Sequence, residues 1–162
     1  MSIVLFRQKI DRVISWMLIL LMGLMVINVS WQVASRYLLN NPSSFTDELA
    51  RYMLIWIGML GAAFVAGKNE HLAIDVFQEK LSVENRIRIQ FIIRILILVF
   101  ALLTMVIGGA NLVYITFILD QTSAALRIPL AYVYGIIPAS GLLVIFYQVF
   151  DMVKLTKRIN HH

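Results

Sequence analysis

Long apolar runs, separated by short polar breaks, occupy most of the chain. The runs without a charged residue are 13–35, 52–67, 95–119 and 128–150. A helix needs roughly 20 apolar residues to cross a bilayer core about 30 Å thick. Three runs exceed that length, and the second reaches it when 49–51 are included as its headgroup-level end. The pattern predicts an all-α integral membrane protein, a single domain over 1–162, with four transmembrane helices at about 13–35, 49–67, 91–119 and 130–150.

The connection between the second and third spans is too polar to cross a membrane, but its apolar residues fall largely on one helical face. This periodicity predicts a short amphipathic helix at about 70–81, lying on the membrane surface. The third helix is expected to run unbroken over 83–119, about 55 Å at a rise of 1.5 Å per residue. In the fourth span, Pro138 should kink the helix or loosen one of its turns.

Small residues recur every four positions on two of the predicted helices. The second helix has Gly58, Ala62 and Ala66, and the fourth includes Gly135 in a similar row. Such rows let helix backbones approach closely in lipid, although glycine and alanine are also common in membrane helices by chance. We expect these rows, with Trp56, to form packing faces within the protein or against a partner. Trp56 lies too deep for a simple interfacial aromatic belt.

Basic residues gather where the predicted helices end. The two chain ends carry six of them and the connection from 68 to 94 carries five, whereas the other two connections carry three. By the positive-inside rule, both termini and the central connection are predicted to be cytoplasmic (N-in/C-in). The net charge of +5 therefore indicates membrane anchoring and not binding to nucleic acid.

The remaining composition excludes several kinds of chemistry. No cysteine is present, so thiolate catalysis, disulfides and cysteine-ligated clusters are excluded. Haem binding needs paired histidines at depth, but only His71 lies within the body of the chain; His161 and His162 are terminal. No Asp, Glu, Lys or Arg lies deep in any span, although transporters that act alone usually place an ionisable group there. We therefore expect no catalytic residues, no metal site, no cofactor and no enzymatic activity.

A charged and aromatic cluster begins the second span. Glu48 lies three residues before Arg51 and four before Tyr52, so these side chains share one helical face. One interpretation is an ordinary interfacial belt. The other is a clasp between the first two helices, in which Arg36 is the ionic partner of Glu48.

An ordered set of residues, which includes this cluster, resembles the small membrane subunit of tripartite ATP-independent periplasmic (TRAP) transporters. The likeness covers roughly 36–75 and 123–138, with Tyr132 close to a position where that family has tryptophan. The matching residues are Arg36-Tyr37, Asn41, Phe45, Asp47-Glu48-Leu49, Arg51-Tyr52, Trp56, Gly61-Ala62-Ala63, Gly67, His71, Asp75, Ser123-Ala124-Ala125-Leu126-Arg127-Ile128-Pro129, Tyr134 and Pro138.

This resemblance implies a scaffold subunit in a bacterial inner membrane. Such a subunit is expected to pair as a heterodimer with a large permease, which would hold the sodium and substrate sites. A periplasmic binding protein is expected to deliver an organic acid such as a dicarboxylate or a sialic acid. On this basis Arg36, Glu48 and Arg51 are expected to organise the periplasmic rim where that protein docks.

On the opposite side, the resemblance and the basic charge suggest a turn that holds phospholipid headgroups. Its expected residues are Lys68, His71, Asp75 and Arg86. Two alternatives stay open: an accessory subunit of a tricarboxylate-type system, and an autonomous small transporter.

Overall fold

The fold is described from a computed structural model of the chain. The structure describes the backbone of residues 2–39, 43–68 and 83–159. Side chains are described for residues 5–39, 43–68 and 88–153. The helices are α1 (Ser2–Tyr37), α2 (Ser44–Lys68), α3 (Val83–Phe100), α4 (Gly109–Ile118), α5 (Leu130–Tyr134) and α6 (Ile136–Ile159). A π-helical segment, Ala101–Gly108, joins α3 to α4.

Four helical stretches are long and apolar enough to cross a membrane. They are Leu5–Tyr37, Ser44–Lys68, Arg88–Ile118 and Leu130–Val153. The described residues contain no named strand, only an isolated bridge between Thr122 and Pro129. The prediction of an all-helical membrane protein with four spans is therefore confirmed. The surface helix predicted at about 70–81 lies outside the described residues.

The spans pack mainly as neighbours in a row. α1 packs on α2, α2 on α6, and α6 on the π segment and α3. The fourth span is the most buried of the four, and the third, at the edge of the row, is the least buried. The core lies where α2, α6 and the third span meet, around Ala63, Ala66, Ala101, Met105 and Val144. Three of these five residues are alanines, because small side chains let the helix backbones come close without hydrophobic drive from water.

The third span is one continuous helix, as expected, but its middle is π-helical. The wider turn occurs where the span lies closest to α6. A Cβ atom on Gly141 would stand 2.7 Å from Cβ of Met105, and one on Gly109 would stand 2.8 Å from Cγ2 of Ile137. A side-chain carbon does not fit at distances this short. Glycine at both positions therefore allows the third span and α6 to lie this close together.

The fourth span is interrupted at Gly135, between α5 and α6. Pro138 has no N–H group to donate to the carbonyl of Tyr134, four residues earlier, and its ring crowds that carbonyl. The helix therefore restarts at Ile136, with Pro138 in its first turn. The expected loosening of a helical turn by Pro138 is confirmed. The helix is interrupted in the turn that precedes the proline, at Gly135.

Candidate functional site at the hairpin end of the bundle

Two connections define one end of the bundle, called here the hairpin end: the described residues on either side of 40–42, between α1 and α2, and the loop between α4 and α5. In the second connection, the N–H of Ser123 donates to the carbonyl of Ile128 (2.9 Å), and that of Leu130 donates to Gln121 (2.9 Å). Between these bonds the N–H of Arg127 donates to the carbonyl of Ser123 (3.0 Å), which closes a single helical turn. Arg127 itself has φ 54°, a left-handed conformation that ends the turn.

The start of this turn is held by a carboxylate from another helix. Glu48 in α2 accepts hydrogen bonds from three successive backbone N–H groups: Ala124 (3.1 Å), Ala125 (2.7 Å) and Leu126 (3.1 Å). These are the N–H groups that a helical turn leaves without intrahelical partners, and a negative charge there is favourable. The hydroxyl of Tyr52 donates to the same carboxylate (2.8 Å). Glu48 is only 9% exposed, so the loop is built around its side chain.

This arrangement corrects the expected pairing of Arg36 with Glu48. Within the described part of the chain, Arg36 forms no ion pair with Glu48 and instead lies near the ring of Tyr37 (6.0 Å to the centroid). Arg51 pairs with Asp47 (2.8 Å), and both of these side chains are exposed. The predicted partner was wrong because the carboxylate of Glu48 is satisfied by three backbone N–H groups and the hydroxyl of Tyr52.

Polar contacts also join α1 to the start of α2. The amide of Asn28 donates to the carbonyl of Thr46 (2.8 Å), a buried bond. The amide of Gln32 donates to Asp47 (3.1 Å). Asn28 lies within the apolar run 13–35, so its satisfied amide helps to fix α1 against the start of α2.

The predicted packing residues separate into two groups. Ala66 is buried in the core, and the indole N–H of Trp56 donates to the carbonyl of Val133 (3.1 Å), so these two act within the chain. Gly58 and Ala62 are exposed, and nothing lies within 4 Å of a Cβ built on Gly58. Gly135 lies at the break before α6.

The predicted headgroup-binding residues are only partly described. Lys68 is exposed at the end of α2, with its ammonium 4.6 Å from the ring centroid of Phe64. Arg86 lies in the first turn of α3. His71 and Asp75 lie outside the described residues.

The opposite end of the bundle, called here the terminal end, holds a polar cluster that sequence reasoning missed. Arg7 pairs with Asp151 (2.7 Å) and also donates to the carbonyl of Gly67. Arg94 lies 3.5 Å from the second oxygen of Asp151. The cluster therefore joins the beginning of α1, the end of α2, the beginning of the third span and the end of α6.

The aromatic part of this cluster fixes α6 against its neighbours. The hydroxyl of Tyr147 donates to Asp11 (2.5 Å). A Cβ on Gly67 would stand 2.9 Å from the Tyr147 ring, so α2 ends directly against it. The opposite charges at the ends of the first and fourth spans could have predicted an ion pair between them. The hydropathy pattern places only the ends of the spans, so it identifies these residues as span boundaries.

Fold and contacts together define a multi-pass helical membrane protein whose described polar contacts between helices concentrate toward the two ends of the bundle. The model of the family described as "Tripartite ATP-independent periplasmic transporters, DctQ component" matches residues 25–158. The chain belongs to this family, which comprises the small permease subunits of TRAP transporters. It is therefore a multi-pass inner-membrane component of a transporter and not an enzyme.

Two relatives illustrate the relationship. The sialic acid TRAP transporter small permease protein SiaQ of Vibrio cholerae serotype O1 is 26% identical over 158 residues, which cover 96% of this chain and 90% of the relative. A putative TRAP transporter small permease protein of Haemophilus influenzae is 31% identical over 90 residues, 56% of each chain. Both names agree with the resemblance found in the sequence.

Proposed function

We propose that this chain is the scaffold subunit of a sodium-coupled TRAP transporter for an organic acid. In this proposal it stabilises a large permease and helps a periplasmic binding protein to dock at the hairpin end. The observation that carries the proposal is the contact between Glu48 and the loop of residues 123–127. Through residues that are 76–78 positions apart, it joins the two stretches of sequence that resemble the family into one ordered surface.

The docking role is supported by the charges that this surface presents. Arg127 and Arg36 are exposed. Neither forms an ion pair with another described side chain, whereas Arg51 is already paired with Asp47. The carboxylate of Glu48 is directed into the loop, so it does not offset these cations at the surface. An acidic patch on the binding protein is the complementary partner.

Binding and uptake measurements test docking. In the assembled complex, Arg36→Glu together with Arg127→Glu should weaken capture of the binding protein and lower uptake, most clearly at low salt. Arg36→Lys together with Arg127→Lys, which keeps both positive charges, is the matched control. Wild-type capture by the double variant would exclude this surface as the docking site.

Packing against the large permease is supported by the outward position of Gly58 and Ala62 on α2. Gly58→Leu should reduce the amount of permease that co-purifies with this subunit, because a bulky side chain would hold the partner helix away. Gly23 on α1 also has nothing within 4 Å of its Cβ position, and Gly23→Leu controls for added bulk. Equal recovery from the two variants would reject the α2 surface as the contact.

The orientation of the chain is part of the proposal, with both termini cytoplasmic and the hairpin end periplasmic. The chain has no cysteine, so single cysteines can be introduced without background. A membrane-impermeant maleimide should label Ala125→Cys in intact spheroplasts, and Lys157→Cys only after lysis. The reverse labelling would invert the topology.

The substrate class is proposed from the resemblance and the named relative. Uptake of a labelled sialic acid and of a labelled dicarboxylate by the reconstituted three-component system distinguishes the two. Sodium is expected to act in the permease and not in this chain. Transport by this chain alone, without permease or binding protein, would contradict the scaffold role.

A further inference from the structure

The outward side of the third span carries a polar side chain that the fold leaves unpaired. Asn111 is exposed in α4, and its amide has no hydrogen-bond partner among the described residues. It follows Gly109, which is buried, by two residues. Two residues turn an α-helix by about 200°, so Asn111 points almost directly away from α6 and the core.

Asn111 also lies within the apolar part of the span. Asp120 is nine positions further along the chain, which corresponds to about 13 Å along the helix axis. All residues from 112 to 119 are uncharged. An asparagine side chain is too short to reach the interface over that distance, and lipid tails offer no hydrogen-bond partner. Polar side chains at such depth usually face another helix.

Asn28, an asparagine within the first span, shows how this fold treats such a group when it faces another helix. Asn28 lies inside the first span and is 9% exposed, with its amide bonded to the carbonyl of Thr46. Thr116 and Ser140 likewise donate to carbonyls of their own helices. Asn111 is unlike these three because its side chain faces outward at the edge of the row.

The surroundings of Asn111 form a surface on which a helix could lie. This surface, the Asn111 face, is made of exposed residues from the π segment and α4. It contains Ile107 (56% exposed), Gly108, Asn111, Tyr114 (64%) and Ile118 (59%). Gly108 provides a shallow point, since a Cβ there would meet only its own backbone, at 3.6 Å from the carbonyl oxygen of Leu103. A shallow point beside an amide permits both close approach and a hydrogen bond.

We propose that the Asn111 face is covered by a transmembrane helix of the large permease, which supplies the hydrogen-bond partner of Asn111. This inference rests on the proposed scaffold function and assigns it a specific face at the edge of the row. A permease helix is favoured over lipid because the amide needs a partner. It is favoured over a second copy because the proposed scaffold function pairs this chain with a large permease.

Site-directed photo-crosslinking identifies what covers this face. The probe p-benzoylphenylalanine is placed at Ile107 or Ile118, and at Leu20 on α1 as a control that is at least as exposed (64%). Positions 107 and 118 should give adducts with the large permease at a higher yield than Leu20. Adducts with lipid or with a second copy of this chain only, or a yield no higher than from Leu20, would overturn the inference.

Substitution of the amide tests the hydrogen bond itself. Interhelical hydrogen bonds in membranes correspond to roughly 3-fold to 20-fold in association. We expect Asn111→Leu to weaken retention of the permease by about that factor during detergent titration, and Asn111→Gln to restore part of it. Gly108→Leu should lower retention, with Gly23→Leu as its control. Wild-type retention by both Asn111→Leu and Gly108→Leu would also overturn the inference.

The two levels of the proposal fail differently. If the wild-type chain co-purifies with the permease but the variants and crosslinks show no effect, the contact lies elsewhere and the scaffold function stands. If the wild-type chain does not associate with the permease at all, the scaffold function itself is wrong.

Discussion

Two adjacent glycines of the third span face opposite environments, and replacing each by alanine separates close packing from helix propensity. A Cβ on Gly109 would lie 2.8 Å from Cγ2 of Ile137 and 3.0–3.1 Å from ring atoms of Pro138. A Cβ on Gly108 would meet only a backbone oxygen at 3.6 Å. Both substitutions add the same methyl group to the same helix, so only the environment differs between them.

The expected difference can be worked from these distances. Nonpolar atoms pack best at about 3.5–4.0 Å, so the new methyl at position 109 needs roughly 0.5–1 Å of additional space. Overpacking of this kind costs about 1–3 kcal/mol. Glycine to alanine in a helix interior gains about 1 kcal/mol at either position. Gly108→Ala should therefore be neutral or stabilising, and Gly109→Ala should be less stable than Gly108→Ala by about 1–3 kcal/mol.

Thermal unfolding of the two purified variants in the same detergent measures this difference. The chain has three tryptophans, including Trp56, which bonds to the fourth span, so intrinsic fluorescence reports the transition. For a protein of this size the two midpoints should differ by roughly 2–12 °C. Equal midpoints, or a lower midpoint for Gly108→Ala, would refute the close approach of the third span to Pro138.

Three further predictions follow from the two ends of the bundle. Glu48→Ala should accelerate amide hydrogen exchange at residues 124–125 by at least about tenfold, because each N–H group loses a charged acceptor. Asp47→Ala is the control, and equal exchange rates in the two variants would contradict the loop geometry. Asp151→Asn should lower the free energy of unfolding, measured by thermal or SDS unfolding, by about 3–5 kcal/mol, because two largely buried arginines lose their carboxylate partner. An unchanged unfolding transition would mean that these ion pairs contribute nothing to stability. Arg127→Gly should stabilise the protein by about 1 kcal/mol, because glycine adopts the left-handed φ without strain. The same substitution should weaken capture of the binding protein, because it removes the exposed charge. A lower melting temperature would contradict the left-handed conformation at this position.

The four spans could be predicted because hydropathy is summed over some 20 residues and is insensitive to detail. The interruption before Pro138 was also predictable, since proline removes a specific hydrogen bond. The π segment at Ala101–Gly108 was not. Its sequence is as apolar as its surroundings, and the wider turn occurs where Gly109 and Gly141 bring two spans together in space.

The candidate site was predictable in its members but not in its geometry. Glu48 and the stretch from Ser123 to Pro129 were both recognised by resemblance to the family. Their contact was not, because its donors are backbone N–H groups, which every residue other than proline carries and which leave no mark on sequence. An arginine was the obvious ionic partner for a carboxylate, and the choice of Arg36 followed from that expectation. The roles assigned to Arg36, Glu48 and Arg51 at the rim stay predictions.

The cluster at the terminal end has a practical consequence for experiments on this protein. Arg7 and Asp151 are 144 positions apart in sequence but touch in space. The described segments that precede the first (2–6) and follow the second (152–159) therefore lie at the same end of the bundle. Fluorescent donor and acceptor groups attached to those two segments should show high energy transfer while the cluster is intact. Any fusion at one of them adds bulk beside the ion pair, so a tag there needs a spacer long enough to leave it undisturbed.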